Sequence, residues 1–128
     1  MRTHKGDIAM DMLEDAIDLY KAKRFFSSLH LAAAASELFS GLCEINNLES
    51  SHKNLKLMLK DFHDSNPNLF AKPKHALTKF QYSKNAIKHI KGESDQFAYV
   101  SAEMDAEMYI HQCQKMLNNF GLCLLKHI

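Results

Sequence analysis

The strongest indication of the fold is the segment "FSSLHLAAAASELFSGLCEI", which runs from Phe26 to Ile45. Its apolar side chains recur at helical spacing on two faces. One face carries Phe25, Leu29, Ala32, Phe39 and Cys43, and the other carries Leu31, Ala35, Leu38, Leu42 and Ile45. A helix that is apolar over most of its circumference lies at the centre of a domain or also packs on a second chain. We therefore expect a central helix that ends at Asn46 and Asn47, because asparagine tolerates the left-handed conformation.

Helical periodicity continues over most of the chain. Four glycines and two prolines interrupt 128 residues, and β-branched residues are scarce, which disfavours a sheet. The pattern predicts helices over about residues 7–24, 26–45, 52–64, 74–91 and 101–125. The expected core residues of the third are Leu55, Met58, Leu59 and Phe62, and those of the fourth are Ala76, Leu77, Phe80, Ile87 and Ile90. This length fits one domain, so we expect residues 1–128 to form a single all-α, up-and-down bundle of about five helices.

Composition excludes several classes of protein. A hydrophobic fraction of 46% beside 24% charged residues is typical of a folded domain, and no apolar run reaches the ~18 residues of a bilayer span. No membrane partner is therefore expected. The N-terminus lacks the apolar segment of a signal peptide, which predicts a cytoplasmic protein. Cys43, Cys113 and Cys123 lack metal-site spacing and are odd in number, and no phosphate-binding glycine loop occurs. We expect buried, reduced thiols, no metal and no cofactor.

Charge is distributed unevenly along the chain. Residues 50–91 carry nine lysines against two acids, a net charge of +7, whereas residues 1–49 and 92–128 each carry −3. A segment this basic is suited to contact phosphates. A solvated lysine face on two helices explains the same composition, and both interpretations stay open.

Within the basic segment, "YSKNAIKH" (Tyr82 to His89) concentrates polar chemistry. On a helix, Tyr82, Asn85 and His89 share one side, and Lys84 and Lys88 form an adjacent ridge. Neighbouring ammonium groups favour a neutral imidazole that accepts a proton near pH 7. This set can cleave RNA without metal: a base removes the 2′-hydroxyl proton, and cations stabilise charge on the phosphorane. The alternative is a helix-terminal histidine favoured by the helix dipole, beside solvated lysines.

Together, "HLAAAASELFSGL" (residues 30–42) and "KNAIKH" (residues 84–89) resemble the HEPN superfamily of helical nucleotide-binding domains. The resemblance implies a helical bundle that is usually dimeric. Active members are metal-independent ribonucleases, which carry an arginine, often followed by asparagine, and a histidine after four to six intervening residues. It further implies that the motifs of two chains meet in one cleft at the dimer interface.

The resemblance assigns roles to individual residues. It places Lys84 at the arginine position, Asn85 at the polar position and His89 at the histidine position, and Glu37 resembles an acidic residue near the cleft. The predicted catalytic residues are His89, Lys84 and Asn85, and the predicted substrate-binding residues are Lys88, Tyr82 and Glu37. Lysine keeps the positive charge of arginine but lacks the planar fork that grips a phosphate.

Two functions follow from this assignment. The first is an RNA-binding domain of toxin or defence type with metal-independent endoribonuclease activity. The second is a non-catalytic dimeric interaction or regulatory module, which the replacement of arginine by Lys84 favours. The partners expected are a second copy of the chain, RNA, and an antitoxin or another protein.

A second constellation lies in the last predicted helix, where Glu103, Glu107 and His111 are spaced four residues apart. His30 and Glu37 could face them. Carboxylate-bridged metal bundles use Glu-x-x-His pairs on facing helices, and this chain has no such pair. Solvated acids that complement the helix dipole explain the first two residues more simply.

Two aromatic residues precede that helix, at Phe97 and Tyr99. Such rings can stack on a base. Packing over the end of the bundle is the interpretation that we expect to hold.

Overall fold

The computed structural model describes residues 1–50, 56–57, 60–61, 63–68 and 73–121, with the backbone alone at 73–77 and 79–80. Its helices are α1 (Lys5–Lys21), α2 (Phe25–Ile45), α3 (Pro73–Ala86) and α4 (Ala102–Asn119). Residues 56–57, 60–61 and 63–65 are also helical. These described ranges contain no strand, so the all-α class is confirmed. None of their helices is long and apolar enough to cross a bilayer.

Some sequence predictions lie outside the described residues. They concern the expected core side chains of the 52–64 helix, three of those expected in the 74–91 helix, and the last cysteine. The positions are Leu55, Met58, Leu59, Phe62, Ala76, Leu77, Phe80 and Cys123.

The core is built from three helices, with α2 packed along both α1 and α4. Within the described ranges, the apolar residues that are fully buried belong to these helices: Ala9, Leu13, Ala16, Ile17, Leu29, Ala32, Ala33, Ala35, Cys43, Ala106, Ile110, Cys113 and Met116. Burying a leucine or isoleucine side chain contributes about 1.5–3 kcal/mol. Because the alanine side chains of α2 are short, both neighbouring helices pack close to its backbone. The prediction that α2 is central is confirmed.

Polar atoms inside this core have partners that join the helices. Ser28 Oγ donates to the carbonyl of Ala16 at 2.7 Å, which links α2 to α1. Cys113 Sγ donates to the carbonyl of Ala32 at 3.6 Å, which links α4 to α2. Cys43 and Cys113 are buried free thiols, as expected, and burial raises the pKa of both. They behave as small apolar residues.

Helices α1 and α2 end with the same backbone arrangement. Lys23 has φ 60°, and the N–H of Arg24 donates to the carbonyl of Leu19 at 2.8 Å. Asn47 has φ 57°, and the following N–H donates to the carbonyl of Cys43 at 2.8 Å. Both are Schellman motifs, which require a left-handed residue just after the helix. The asparagine stop is confirmed, whereas α1 ends three residues earlier than predicted because Lys23 adopts this conformation.

A narrow strip of α2 stays outside the core. His30, Glu37 and Glu44, spaced seven residues apart, are exposed. Gly41 lies between the last two and is half-buried, and a Cβ built there meets no described atom within 4 Å. Ile45, assigned above to an apolar face, is exposed because it is the last residue of α2 and extends past the core.

Helix α3 lies at the periphery and contacts α2 over a short length. The buried side chains described in its last turn are Ser83 and Lys84, both polar. Ile87, just after the helix, is partly buried against the core. The expectation that Ile90 is buried is wrong: it is 78% exposed, because α3 has ended four residues earlier.

Candidate functional site

The predicted site lies where α3 ends and residues 87–101 lead to α4. The N–H of Lys88 donates to the carbonyl of Asn85 at 3.1 Å, which closes a turn. The N–H of Lys91 then donates to Asp95 Oδ2 at 2.9 Å. These local bonds replace the helical ones, as aspartate side chains commonly do in turns. The helix predicted over 74–91 therefore stops early, and His89 follows the helix instead of lying on it.

Three of the predicted site residues nevertheless line one small pocket, called here the His89 pocket. Its volume is about 90 Å³, and an imidazole, an amide and a phenol meet around it. Asp95 and Lys91 line it as well. Helical spacing does not predict the position of these two residues, because a turn brings them to the pocket. The lining residues are Tyr82, Asn85, Ala86, His89, Lys91 and Asp95.

Lys84, predicted at the catalytic arginine position, is not among the residues that line this pocket. It is 8% exposed, and its ammonium group forms an ion pair with Glu37 of α2. Burial lowers the pKa of Lys84, and the nearby charge of Lys88 lowers it further. The Glu37 side chain remains 56% exposed. In this arrangement Lys84 joins α3 to α2, and a phosphate would have to displace the Glu37 carboxylate to reach it.

Exposed cations near the pocket come from the turn after α3. Lys88 precedes His89 in the chain and is exposed, and Lys91 is exposed where it lines the pocket. Both ammonium groups face water and are accessible to a phosphate. The predicted residues thus fall into two groups: Tyr82, Asn85 and His89 share the pocket, whereas Lys84 and Glu37 pair with each other.

Tyr82 also lines a second, larger cavity, called here the Tyr82–Tyr99 cavity. Its volume is about 300 Å³. The Tyr99 ring is 84% exposed, and Met104 is exposed beside it. The expectation that Phe97 and Tyr99 pack over the bundle end is wrong, because residues 97–99 run outside the core and leave both rings in water. The lining residues are Tyr82, Ser83, Tyr99, Val100, Ser101, Met104 and Asp105.

The acidic constellation of α4 forms interhelical contacts. Tyr20 Oη of α1 donates to Glu107 Oε2 at 3.3 Å, and His111 Nε2 lies 3.6 Å from Glu107 Oε1. Burial raises the pKa of Tyr20, and the charges of Glu107 and Glu103 raise it further. Within the described ranges, no group of three or more His, Cys, Asp or Glu side chains is arranged to hold a metal ion. Glu107 therefore joins α1 to α4.

Comparison with protein-family models, with curated proteins and with solved structures finds no match to this chain. The resemblance to the HEPN superfamily stays a prediction that depends on residues 30–42 and 84–89. A function for the site must therefore be argued from the side chains that surround it.

Proposed function

We propose that this chain is a cytoplasmic, HEPN-like domain that binds RNA on the surface formed by the end of α3 and residues 87–101. The observation that carries the proposal is the His89 pocket, where Tyr82, Asn85 and His89 come together. Aromatic and imidazole rings stack on unpaired bases, and an amide hydrogen-bonds to their edges. Lys88 and Lys91 supply exposed charge for the phosphates, and this electrostatic attraction provides much of nucleic-acid affinity.

Cleavage is the catalytic form of the proposal. His89 takes the proton of a ribose 2′-hydroxyl, whose oxygen then attacks the adjacent phosphorus. The bond from phosphorus to the 5′-oxygen of the next nucleotide breaks, which leaves a 2′,3′-cyclic phosphate, and the departing 5′-oxygen takes a proton from water. Because Lys84 is paired with Glu37, Lys88 and Lys91 are the cations that stabilise the negative charge of the phosphorane. No metal ion takes part in this step.

A homodimer through α2 and α3 completes the cleft in this proposal. The exposed strip of α2 around Gly41 gives room for a second helix, and two copies of His89 then line one groove. Light scattering of the purified protein tests this step: a dimer supports the shared cleft, and a monomer at working concentration removes it.

Binding is tested by anisotropy of a labelled single-stranded RNA at several salt concentrations. Loss of one phosphate contact reduces the slope of log K against log salt by about 0.7 for a single strand. The K88A/K91A double variant should therefore bind more weakly and with a shallower slope. Lys115→Ala, which removes an exposed lysine of α4, is the matched control. Equal losses in the double variant and the control would contradict the proposed surface.

Cleavage is tested by incubating mixed RNA with the protein in EDTA. We expect cleavage that disappears in His89→Ala, together with a loss of affinity for RNA no greater than the roughly 1–3 kcal/mol of one stacking ring. Equal cleavage by wild type and variant would rule out His89 as the base. RNA binding without any cleavage would leave the binding function and remove the catalytic step.

A second candidate function is a non-catalytic dimeric module that pairs with a protein such as an antitoxin. The ion pair between Lys84 and Glu37 favours it, because the position that active HEPN members give to arginine here attaches one helix to another. This candidate predicts a dimer without affinity for RNA, and His89→Ala would leave partner binding unaffected. Salt-dependent RNA binding that requires Lys88 and Lys91 argues against it.

A further inference from the structure

The Tyr82–Tyr99 cavity presents apolar surface to solvent. Two phenol rings, from Tyr82 and Tyr99, and the thioether of Met104 are all exposed around it. Its volume of about 300 Å³ is at the lower end of the roughly 300–1,000 Å³ that is usual for small-molecule sites. Exposed apolar surface that is contiguous and has a polar rim is typical of an interaction site.

The polar rim of the cavity contains a buried hydroxyl group. Ser83 is 5% exposed, lines the cavity, and its Oγ has no hydrogen-bond partner among the described residues. A buried polar group without a partner is unfavourable, and a ligand that supplies one relieves the penalty. The hydroxyl both donates and accepts; its Oγ is closed to solvent, so a rotation about χ1 must turn it into the cavity before it pairs with a ring nitrogen or a carbonyl oxygen.

Asp105 sets a second chemical requirement that a ligand of the cavity must meet. Its half-buried carboxylate lines the same space and, when ionised, only accepts hydrogen bonds, two of them side by side if the ligand offers adjacent donors. The negative charge disfavours a phosphate here. A wholly apolar peptide side chain would satisfy neither Asp105 nor Ser83. The ligand that fits is flat, aromatic and rich in N–H donors along one edge.

The two cavities adjoin, because Tyr82 lines both of them. A nucleotide chain whose phosphates contact Lys91 at the His89 pocket can therefore place a neighbouring base beside Tyr82. Guanine matches the requirements of the larger cavity: its flat ring stacks on tyrosine, and its N1–H and N2 amino group are adjacent donors for a carboxylate.

From these contacts we propose that the Tyr82–Tyr99 cavity binds one unpaired guanine of a single-stranded RNA. Tyr82 and Tyr99 stack on the base, Asp105 accepts from its amino edge, and Ser83 pairs with a remaining polar atom. This inference rests on the proposed RNA-binding function, and it adds the base that the surface selects. The guanine base is shared by RNA and by free nucleotides, so the test contains an arm for each.

The experiment compares a labelled oligouridine with the same oligomer carrying one central guanosine, and GMP is measured separately by calorimetry. A bidentate hydrogen-bond contact to one base edge, as proposed for Asp105, contributes about 1–3 kcal/mol of discrimination between bases, so the guanosine should raise affinity by about tenfold. Tyr99→Ala and Asp105→Asn should each remove most of this difference. Phe97→Ala removes an exposed ring that does not line the cavity, and it should keep the difference.

The outcomes separate this inference from the proposed function. Salt-dependent binding of both oligomers with equal affinity overturns the guanine site and leaves RNA binding intact. Binding of neither oligomer overturns the proposed function itself. If GMP binds as tightly as the guanosine oligomer, the claim that the guanine belongs to single-stranded RNA is overturned, and the cavity is a site for free nucleotides. Thermal melting of each variant verifies folding, which these surface changes should preserve.

Discussion

The core and the α3 region of this chain are built on different principles. In the described ranges, the core of α1, α2 and α4 is held by apolar side chains and by hydrogen bonds between helices, such as that from Ser28 Oγ to the carbonyl of Ala16. In α3, the buried side chains described are Ser83 and Lys84, and one ion pair joins the helix to α2. Exposed apolar side chains lie in or after α3, at Tyr82, Ile90, Phe97 and Tyr99, and others lie on the core helices, at Ile8, Phe26, Ile45 and Met104. The proposed recognition surface joins the end of α3 to the first turn of α4, at the edge of the core.

The difference between the two regions implies that the ion pair at the last turn of α3 can be removed while the core stays folded. Local opening has a lower free energy where few apolar contacts hold an element. An element that binds a ligand is commonly of this kind. Substitutions in the two regions should therefore differ in how far they lower the free energy of unfolding.

Leu29→Ala should have the largest effect, because it creates a cavity in the middle of the core. Leu29 is fully buried in α2, and such a substitution costs about 3–5 kcal/mol. Urea unfolding followed by circular dichroism measures the loss. Tyr99→Ala, at an exposed ring in the other region, should change the free energy of unfolding by less than about 0.5 kcal/mol. Comparable losses in the two variants would refute the difference between the two regions.

Tyr109→Phe tests whether the burial of this side chain makes the stability of the core depend on pH above pH 10. Burial and, to a lesser extent, the charge of Asp105 raise the pKa of Tyr109 from 10.0 to about 12. The folded state therefore keeps its proton more tightly, so this stabilisation is complete below pH 10 and is lost as the pH rises towards 12. The amount is on the order of 2–3 kcal/mol. Unfolding measured across this range should show a shallower alkaline decline in the variant, and parallel curves would contradict the assignment.

Glu37→Gln tests how α3 is attached. The variant leaves the buried Lys84 ammonium without its counter-ion, and breaking a fully buried pair costs about 3–5 kcal/mol. Because Glu37 is 56% exposed, we expect about 1–2 kcal/mol. The loss should fall on α3, whose amides should exchange faster with deuterium while core amides keep their protection.

Two control variants make this test sharper. Lys84→Met removes the buried charge and leaves Glu37 in contact with water, so it should be less destabilising than Glu37→Gln. Glu44→Gln changes an exposed glutamate of the same helix and should have almost no effect. Equal loss of protection in core and α3 amides would show that the two regions unfold together.

Lys23→Gly should give the smallest change, and it should be stabilising. A residue other than glycine in the left-handed conformation costs roughly 1–2 kcal/mol, part of which glycine loses again through its backbone entropy. A gain of about 0.5–1 kcal/mol should raise the melting temperature by a few degrees. Asp15→Gly, at an exposed position inside α1, should lower it. A loss in Lys23→Gly would mean that the α1–α2 turn does not belong to the rigid core.

The all-helical fold could be predicted because the apolar pattern of α2 is compatible with few arrangements of neighbouring helices. A helix with apolar residues on two faces needs neighbours on both, and α1 and α4 supply them. The end of α2 could be predicted because asparagine favours the left-handed conformation that Asn47 adopts. The end of α1 could not be predicted, because lysine rarely adopts the positive φ that Lys23 has. The end of α3 depends on the bond between Lys91 and Asp95, which the helical periodicity does not indicate.

The candidate site was predictable where its residues are neighbours in the chain. The spacing of Tyr82, Asn85 and His89 brought them to one pocket even though His89 has left the helix. The pairing of Lys84 with Glu37 joins residues 47 positions apart, so it follows from tertiary packing. Asp105 joined the larger cavity for the same reason, because its neighbours there include residues of α3.

Gly41 has a consequence for how closely another backbone can approach α2. Alanine at this position would favour the helix by about 0.5–1 kcal/mol, and the described surroundings leave space for its methyl group. A hydrogen atom in its place exposes main-chain atoms, so a crossing helix can come nearer than any β-carbon would permit. The chain thereby gives up a little intrinsic helicity and keeps a notch one turn before α2 ends.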